Sequence, residues 1–330
     1  MDVRTKLIIE HAPDKIDLKS SIVTIGSCFA QNIYSALSKD KIKVYHNPFG
    51  TLYNPVSISQ LLNACINNLK LDKSLFITRD SRTVHYQYHS DFNGQHVNAL
   101  QNLYERYNNA LNSKLVNGNV LIITLGTASI FKHTQHDIIV ANCHKQPAGL
   151  FERSILDANQ ITAVLTECID SLLKLNDSIR VILTVSPVRH VRDTLIINSL
   201  CKARLISACH ELSSSYDSVE YFPSYEIMVD DLRDYRYYKQ DLIHPNETAL
   251  AYIYELFQQR YFDAELSPVL ADIRKIKRGI EHRPFNAHSD KYRRFLISLI
   301  DKCDSLEEAT SVDLHEEKAL LHQKLTDLDA

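Results

Sequence analysis

The sequence has no long apolar run and no excess of basic charge. No stretch of about 18 apolar residues occurs, so we expect no membrane-spanning segment. Lysine and arginine number 37 against 40 aspartates and glutamates, a formal net charge of −3 without a basic stripe, which argues against a nucleic-acid partner. The N-terminal residues, MDVRTKLIIEHAPDKIDLKSS, carry scattered charges instead of an apolar core, so we expect no secretory signal.

Paired cysteines are also lacking. The seven cysteines are an odd number, scattered and without a CxxC pair, which fits neither a disulfide framework nor a zinc site. We therefore expect reduced thiols in a cytoplasmic protein, with no cofactor. His85 and His89 could hold a metal together with Asp91, but the alternating segment TVHYQYHSDF is more typical of an exposed strand or lid, so we expect no metal.

Short apolar runs alternate with helical periodicity along the chain. Because such alternation is typical of βαβ units, it predicts an α/β fold with a parallel five-stranded sheet. The strands are expected at Ser21–Ile25, Ile42–His46, Val120–Leu125, Val181–Val185 and Val219–Phe222. Helices that cover the sheet are expected at Asp157–Leu175 (with Asp157 as N-cap), Asp193–Leu212 and Asn246–Arg260.

Two regions depart from this alternation. Residues 54–118 form a long insertion after the second strand, with helices expected at Ser57–Leu69 and Ala99–Leu115. The C-terminal part is charged and predicts helices at Asp272–Ile280, Lys291–Cys303 and Leu314–Leu328. We therefore predict a catalytic domain over residues 1–265 and a helical extension over 266–330 that packs on it or forms a homodimer.

A serine and a DxxH motif carry the first indication of chemistry. Ser27 follows the first strand in IVTIGSCFAQNI, where it either caps the next helix or acts as a nucleophile. Asp241 and His244 stand three residues apart just before a helix, a spacing that lets the carboxylate orient the imidazole as a general base. Either feature alone is weak, but the pair favours catalysis.

The combination resembles the SGNH/GDSL hydrolase superfamily and, more narrowly, the GSCFA-domain family. The resemblance spans about residues 3–290 and rests on the motifs GSCFAQNI, NPFGTLYNP, ITLGTA, VANCHKQP, TVSPVRH and YFPSYEIMVDDLRDYRYYKQDLIHP. It implies a flavodoxin-like three-layer α/β/α fold with Ser27 as nucleophile, His244 as general base and Asp241 as its orienting carboxylate.

The resemblance also implies an oxyanion hole made by the Ser27 N–H, by a glycine after the second strand and by an asparagine after the third. Gly50 stands where that glycine belongs, or is a turn glycine. The asparagine is missing, since the sequence reads Gly126-Thr127-Ala128-Ser129. Losing one such donor typically costs about 10² to 10³ in kcat. Thr127, Asn142 and His144 are the candidate replacements, or else structural residues. Gly126 is a further candidate for oxyanion or substrate binding.

Arg189, His190 and Cys28 are further candidate site residues near the strand ends. Arg189 and His190 follow the fourth strand, where the arginine either binds a carboxylate or phosphate of the substrate or pairs with the acidic DDLRDYR segment. Cys28 is adjacent to Ser27 and is either a second nucleophile or, as we expect, a packing residue beneath the turn.

The resulting functional hypothesis is a serine esterase that acts on a small acyl ester, including O-acetyl groups on saccharides, through an acyl-enzyme. An O-acyltransferase with the same triad is one alternative. A catalytically weak binding or scaffold protein of the same fold is the other, and the missing asparagine supports it.

Overall fold

A computed structural model of the chain describes residues 5–286, 288–310 and 312–329. Its strands, in chain order, are β1 (Ser21–Gly26), β2 (Lys43–His46), β3 (Phe76–Arg79), β4 (Arg82–His85), β5 (Val120–Leu125), β6 (Ser129–His133), β7 (Ile138–Val140), β8 (Phe151–Ile155), β9 (Arg180–Val185) and β10 (Val219–Phe222). Its helices are α1 (Cys28–Lys39), α2 (Pro55–Ile66), α3 (Val97–Asn117), α4 (Ala158–Leu175), α5 (Leu195–Ser215), α6 (Ser224–Glu226), α7 (Glu247–Tyr261), α8 (Leu266–Glu281), α9 (Asp290–Thr310) and α10 (His315–Asp329).

The main sheet has five strands in the order β10-β9-β5-β1-β2. The pairs β1/β5, β5/β9 and β9/β10 are parallel, with Ile25 opposite Ile123 and Ile123 opposite Leu183. Counted along the chain, this is the 2-1-3-4-5 order of flavodoxin-like folds. The predicted α/β class is therefore confirmed, as are a helical insertion after the second strand and C-terminal helices.

The strands and helices form where the apolar pattern predicts them. β5 is buried over its whole length and β9 over all but its first residue, which fits continuous apolar runs covered on both faces. At the start of α4, the Asp157 carboxylate accepts the Gln160 N–H and the Gln160 side chain accepts the Asp157 N–H. The predicted N-cap is thus confirmed and forms a full capping box.

Two small antiparallel sheets were not predicted from the sequence. β3 and β4 form a hairpin within the insertion, and β6 pairs with both β7 and β8. The segment predicted as an exposed strand or lid is partly buried: His85 ends β4 and is fully buried, with Nε2 3.2 Å from the Asp72 carbonyl. Short strands of mixed polarity give little periodic signal.

The described chain divides into two compact units. The first comprises the described residues up to Glu10, with Ser21–Ser35 and Val44–Phe257, and it contains the apolar core between the main sheet and helices α2 to α5. Residues of this core include Val23, Phe49, Leu62, Leu111, Ile123, Leu165, Leu183 and Leu205.

The second unit comprises His11–Ser20, Ala36–Lys43 and the described residues from Gln258 onward. In it the Ile16 N–H donates to the Tyr261 carbonyl, and Lys41 Nζ lies 2.7 Å from Glu317 Oε2. The C-terminal helices therefore share their unit with two N-terminal segments. The boundary between residues 265 and 266 stays a prediction. Throughout the described ranges, each helix is too short or too polar to cross a lipid bilayer.

Candidate active site

The turn from β1 into α1 is set by Gly26. Its φ is +125°, and a Cβ there would lie 2.1 Å from the Thr124 carbonyl oxygen, so both the conformation and the space require glycine. The next N–H, that of Ser27, donates to the same Thr124 carbonyl at 2.8 Å. This backbone bond fixes the turn against β5. It also occupies the Ser27 N–H, which the resemblance assigned to the oxyanion hole.

Ser27 itself is buried. The residue is 2% exposed, and its hydroxyl lies 2.8 Å from the hydroxyl of Thr124, which is fully buried. The Ser27 carbonyl accepts the Ala30 N–H, as an N-cap residue's carbonyl does, and so leads into α1. Among the described residues that line the adjacent pocket, Ser27 does not occur.

Cys28 is the first residue of α1 and is half-buried. It lines a pocket of about 450 Å³ together with Gly50 and His244. Burial raises the pKa of the Cys28 thiol, while the Lys202 ammonium and the N–H groups of Cys28 and Phe29 act to lower that pKa. The pocket therefore offers a thiol at a helix N-terminus.

The DxxH motif forms a hydrogen-bonded pair at the same pocket. His244 Nδ1 lies 2.7 Å from Asp241 Oδ2, and Asp241 Oδ1 accepts the N–H groups of Ile243 and His244 at 2.9 and 3.0 Å. These bonds, first that of the His244 N–H, lower the Asp241 pKa to about 2. The carboxylate is therefore ionised at neutral pH, and a proton on Nδ1 leaves Nε2 as the basic nitrogen.

The loop that carries this pair is held by Arg189. Its guanidinium lies 4.1 Å from the centre of the Tyr238 ring and 5.1 Å from that of Tyr235, and its Nη1 donates to the Leu242 carbonyl at 3.4 Å. The Arg189 N–H also donates to the Ile243 carbonyl. The ion pair with the acidic segment is not formed among the described residues. Arg189 instead packs on Tyr235, which lies within that segment, and on Tyr238, which follows it.

Gly50 was predicted near the site, and the structure places it in the pocket lining. Its φ is +83°, and a Cβ there would lie 2.7 Å from His89 Cβ. The Asn47 amide donates to the Gly50 carbonyl at 2.7 Å and so fixes the loop after β2. Within the described residues the Gly50 N–H has no acceptor.

The candidates after the third strand of the main sheet lie elsewhere. The N–H groups of Gly126 and Thr127 both donate to the Tyr53 carbonyl, at 2.8 and 3.0 Å, and the Thr127 hydroxyl accepts the Ser129 N–H. These donors are engaged within the fold. Neither residue belongs to the pocket lining as described, and the oxyanion role of Gly126 and Thr127 stays a prediction.

Asn142 and His144 belong to a separate polar cluster. The Asn142 amide donates to the Ser90 hydroxyl at 3.1 Å, and its carbonyl oxygen accepts the His144 N–H. His144 Nε2 lies 3.0 Å from the His85 carbonyl, and its Nδ1 lies 3.3 Å from Ser90 Oγ. Burial lowers the pKa of His144, which favours its neutral form. Neither residue belongs to the pocket lining as described, and their role at the site stays a prediction.

His190 stands next to the site without lining the pocket. Its N–H donates to the Asn198 side chain at 2.8 Å, and its ring centre lies 6.4 Å from that of Tyr53.

The residues considered as metal ligands lie apart in their contacts. His89 Nδ1 lies 3.2 Å from Asp91 Oδ2, whereas His85 Nε2 contacts the backbone carbonyl of Asp72. Across the described ranges no group of three or more His, Cys, Asp or Glu side chains is arranged to hold a metal ion.

The comparisons with known proteins bear on the family. The GSCFA family matches residues 21–257, which is more than two thirds of the chain and includes both the β1–α1 turn and the DxxH pair. The chain belongs to the GSCFA family. A second match, to the GSCFA domain protein C-terminal domain, covers residues 273–327.

Beyond this GSCFA assignment, the likenesses are distant. A solved structure named Clostridium thermocellum family 3 carbohydrate esterase is 10% identical, with a TM-score of 0.36, over 78% of this chain and 98% of that one. No curated protein matches the chain.

One further residue of this GSCFA protein, near the site but outside the described pocket lining, was not singled out from the sequence. Lys202 on α5 is 1% exposed, and its ammonium donates to the carbonyls of Gly126 and Ser186 at 2.8 and 2.7 Å. Burial lowers the Lys202 pKa to about 7. The lysine thus connects the loops that follow β5 and β9 at the carboxyl edge of the sheet.

Helical spacing is the signal that could have found it. Asn198, Cys201, Lys202 and Leu205 stand at positions i, i+3, i+4 and i+7 of the helix, and all four are buried. The lysine therefore stands on the face of α5 that packs against the sheet, where an unpartnered charge would be costly.

Proposed function

We propose that this GSCFA protein hydrolyses esters of short acyl groups through a covalent acyl-enzyme, with His244 as general base. The observation that carries the proposal is the 2.7 Å contact between His244 Nδ1 and Asp241 Oδ2 at the edge of the pocket. A carboxylate in that position fixes the imidazole tautomer and stabilises the imidazolium that forms when Nε2 takes a proton.

The nucleophile in this proposal comes from the turn between β1 and α1, which offers the adjacent side chains of Ser27 and Cys28. The turn lies at the carboxyl end of β1, a central strand that pairs with β5. The chain order of the strands changes direction between these two strands. Ligands of open α/β sheets bind at such a switch point. The N-terminal turn of α1 also favours the negative charge of an oxyanion.

Two backbone donors suit the oxyanion. The N–H of Cys28 lies at the first position of α1, where no intrahelical acceptor exists. The unengaged N–H of Gly50 stands in the loop of the same pocket. In this proposal the Cys28 N–H replaces that of Ser27, and the Gly50 N–H keeps the role that the resemblance implies. The side-chain amide of Asn32, which also lines the pocket, supplies the third donor.

Pocket size and lining suggest the substrate class. A volume of about 450 Å³ suits an acetyl or similarly short acyl group with part of its alcohol. Eight of the twelve described lining residues carry polar or charged side chains, among them Gln31, Asn32, Asn47, Thr51, Asp91 and Lys239. These side chains can bond the hydroxyl groups of an alcohol such as a saccharide.

Hydrolysis is favoured over transfer to an alcohol because water reaches the base. The side chains of His244 and Asp241 are 44% and 43% exposed. A transferase needs to keep water from its acyl-enzyme. Adding acceptor alcohols during turnover tests this point: hydrolysis predicts that product partitioning ignores them, whereas an O-acyltransferase would form the new ester.

The experiment that tests the proposal is steady-state hydrolysis of p-nitrophenyl acetate, butyrate and octanoate. We expect turnover that falls with chain length and that drops by about 10³-fold in His244→Ala. The matched control is His322→Ala, which removes an exposed histidine on α10 and should keep wild-type rates. Equal rates in wild type and His244→Ala, or no turnover by a folded wild type, would overturn the proposal and favour a binding protein.

A further inference from the structure

We infer that Cys28, and not Ser27, is the nucleophile of this site, which makes the protein a thiol-dependent ester hydrolase. The inference rests on the proposed function, because it takes His244 as the base. Of the two adjacent residues at the β1–α1 turn, Cys28 lines the same pocket as His244, and Ser27 is not among its described lining residues.

The contacts of Ser27 give it a structural role. Its hydroxyl bonds to the buried Thr124 hydroxyl at 2.8 Å, and its N–H bonds to the Thr124 carbonyl at 2.8 Å. With 2% of the residue exposed, an ester carbonyl has no access to this oxygen unless the turn rearranges. Both polar groups of Ser27 therefore anchor the start of α1 to β5.

The position of Cys28 is the one a nucleophile requires. It is half-buried, lines the same pocket as His244, and begins α1. Of the other six cysteines, Cys65, Cys168, Cys201, Cys209 and Cys303 are buried, and Cys143 is half-buried outside this pocket. Cys28 is thus the one cysteine that shares a cavity with a carboxylate-bound histidine in the part of the chain that the structure describes.

The electrostatics describe a thiol that needs a base. Burial raises the Cys28 pKa, so the resting side chain is a neutral thiol, and His244 is the group available to take its proton. Lys202 and the first N–H groups of α1 act in the opposite direction and stabilise the thiolate as it forms.

The reaction then has two balanced halves. His244 Nε2 takes the thiol proton while Cys28 Sγ forms a bond to the ester carbonyl carbon, and the C–O bond to the alcohol breaks as the leaving oxygen takes that proton. The product is a thioester. Water next gives a proton to Nε2 and bonds to the same carbon, and the C–S bond breaks as Sγ recovers the proton, which releases the carboxylic acid.

The experiment is to locate the acyl group on the wild-type chain. The full chain is mixed with p-nitrophenyl acetate, quenched in acid and mapped by peptide mass spectrometry, with and without neutral hydroxylamine, which cleaves thioesters but leaves oxygen esters intact. We expect acetyl on Cys28, removed by hydroxylamine. Cys28→Ala should lose at least 10²-fold in turnover, Ser27→Ala should lose less than tenfold, and Cys143→Ala, the matched thiol control, should keep the wild-type rate.

Each other outcome overturns the inference in a distinguishable way. Acetyl on Ser27 that resists neutral hydroxylamine, with turnover retained in Cys28→Ala, would contradict the thiol while leaving the proposed function intact. A folded wild type with neither turnover nor adduct would overturn the proposed function and the inference with it. Cys28→Ser, which keeps the size of the side chain, shows whether any loss in Cys28→Ala comes from misfolding, since Ser should preserve the fold and not the rate.

Discussion

The hydroxyl of Ser27 lies 2.8 Å from the hydroxyl of Thr124, across the seam between β1 and β5. Both residues are buried, so this bond is shielded from water. It joins the turn before α1 to the centre of the sheet. The bond between the two buried hydroxyls anchors the turn at Ser27. The next residue, Cys28, lines the pocket.

The first prediction is that Ser27 and Thr124 are energetically coupled. Ser27→Ala and Thr124→Val should each lower the free energy of unfolding by about 1 to 3 kcal/mol, because each removes the buried bond between the two hydroxyls. In Ser27→Ala the Thr124 hydroxyl keeps only its 3.4 Å contact with the carbonyl of residue 27. In the double variant the second loss is smaller, with a coupling free energy of about 1 kcal/mol. Urea unfolding of the four proteins measures it, and strictly additive losses would show that the bond contributes nothing.

The second prediction concerns Asp241→Asn. The asparagine Oδ1 still accepts the N–H groups of Ile243 and His244, so the loop is kept, but its amide would hold His244 in the wrong tautomer. We expect kcat to fall by on the order of 10³ to 10⁴ with little change in stability. Asp177→Asn, at an exposed carboxylate, is the control. A loss below tenfold would remove Asp241 from the mechanism.

The acid behaviour of the same pair follows from the Asp241 pKa of about 2, which lies below the ordinary 3.8. A lowered carboxyl pKa stabilises the fold fully above about pH 3.8 and loses that contribution as the pH falls through 2. Between about pH 4 and 2 the wild type should therefore lose folding free energy that Asp241→Asn does not lose, and urea unfolding across this range measures the difference. Parallel curves for the two proteins would contradict the lowered Asp241 pKa.

The third prediction is that Gly26 tolerates no side chain. In Gly26→Ala the new Cβ would meet the Thr124 carbonyl at 2.1 Å with φ near +125°, so the turn has to move. We expect the free energy of unfolding to fall by about 3 kcal/mol or more, because the backbone is strained and the bond between Ser27 and Thr124 is broken. Gly149→Ala, where a Cβ meets nothing within 4 Å, is the matched control. Similar thermal midpoints for the two variants would contradict this account of the turn.

The fourth prediction follows from the burial of Lys202. Its pKa is about 7 in the fold and about 10.5 in the unfolded chain, so between these values the unfolded state binds more protons and stability rises with pH. Relative to Lys202→Met, the wild type should gain up to about 1.4 kcal/mol per pH unit between pH 7 and 10. Lys174→Met, at an exposed lysine of α4, should show no such slope. Parallel curves for wild type and Lys202→Met would contradict the shifted pKa.

Much of the fold followed from the sequence because each sheet strand is a short apolar run bounded by polar residues. Val120–Leu125 and Val219–Phe222 match the structure at both ends. The start of α2 was predicted two residues late, although Asn54 caps it and Pro55 takes its first position, a recognised start signal. The small sheet of β6, β7 and β8 escaped prediction because Phe151–Ile155 is largely exposed and mixed in polarity.

The site was predictable only in part. Spacing alone placed Asp241 beside His244, because three residues of loop bring a carboxylate back to the imidazole. The choice between Ser27 and Cys28 was not predictable, because it depends on which of two neighbouring side chains faces the pocket. Those directions follow from the backbone angles of the turn, including the positive φ of Gly26, which the sequence pattern does not give. The Gly126 and Thr127 N–H groups donate to the Tyr53 carbonyl, which lies more than seventy residues earlier in the sequence. A local sequence pattern cannot predict a contact over that distance.

The most direct test of the central claim, that His244 activates the side chain at the start of α1, needs no knowledge of the substrate. It is the rate of Cys28 alkylation by iodoacetamide between pH 5 and 10, followed by peptide mass, in wild type and His244→Ala. The account predicts that at pH 7 wild-type Cys28 reacts at least tenfold faster than Cys28 in the variant. Superimposable pH–rate curves for the two proteins would contradict it.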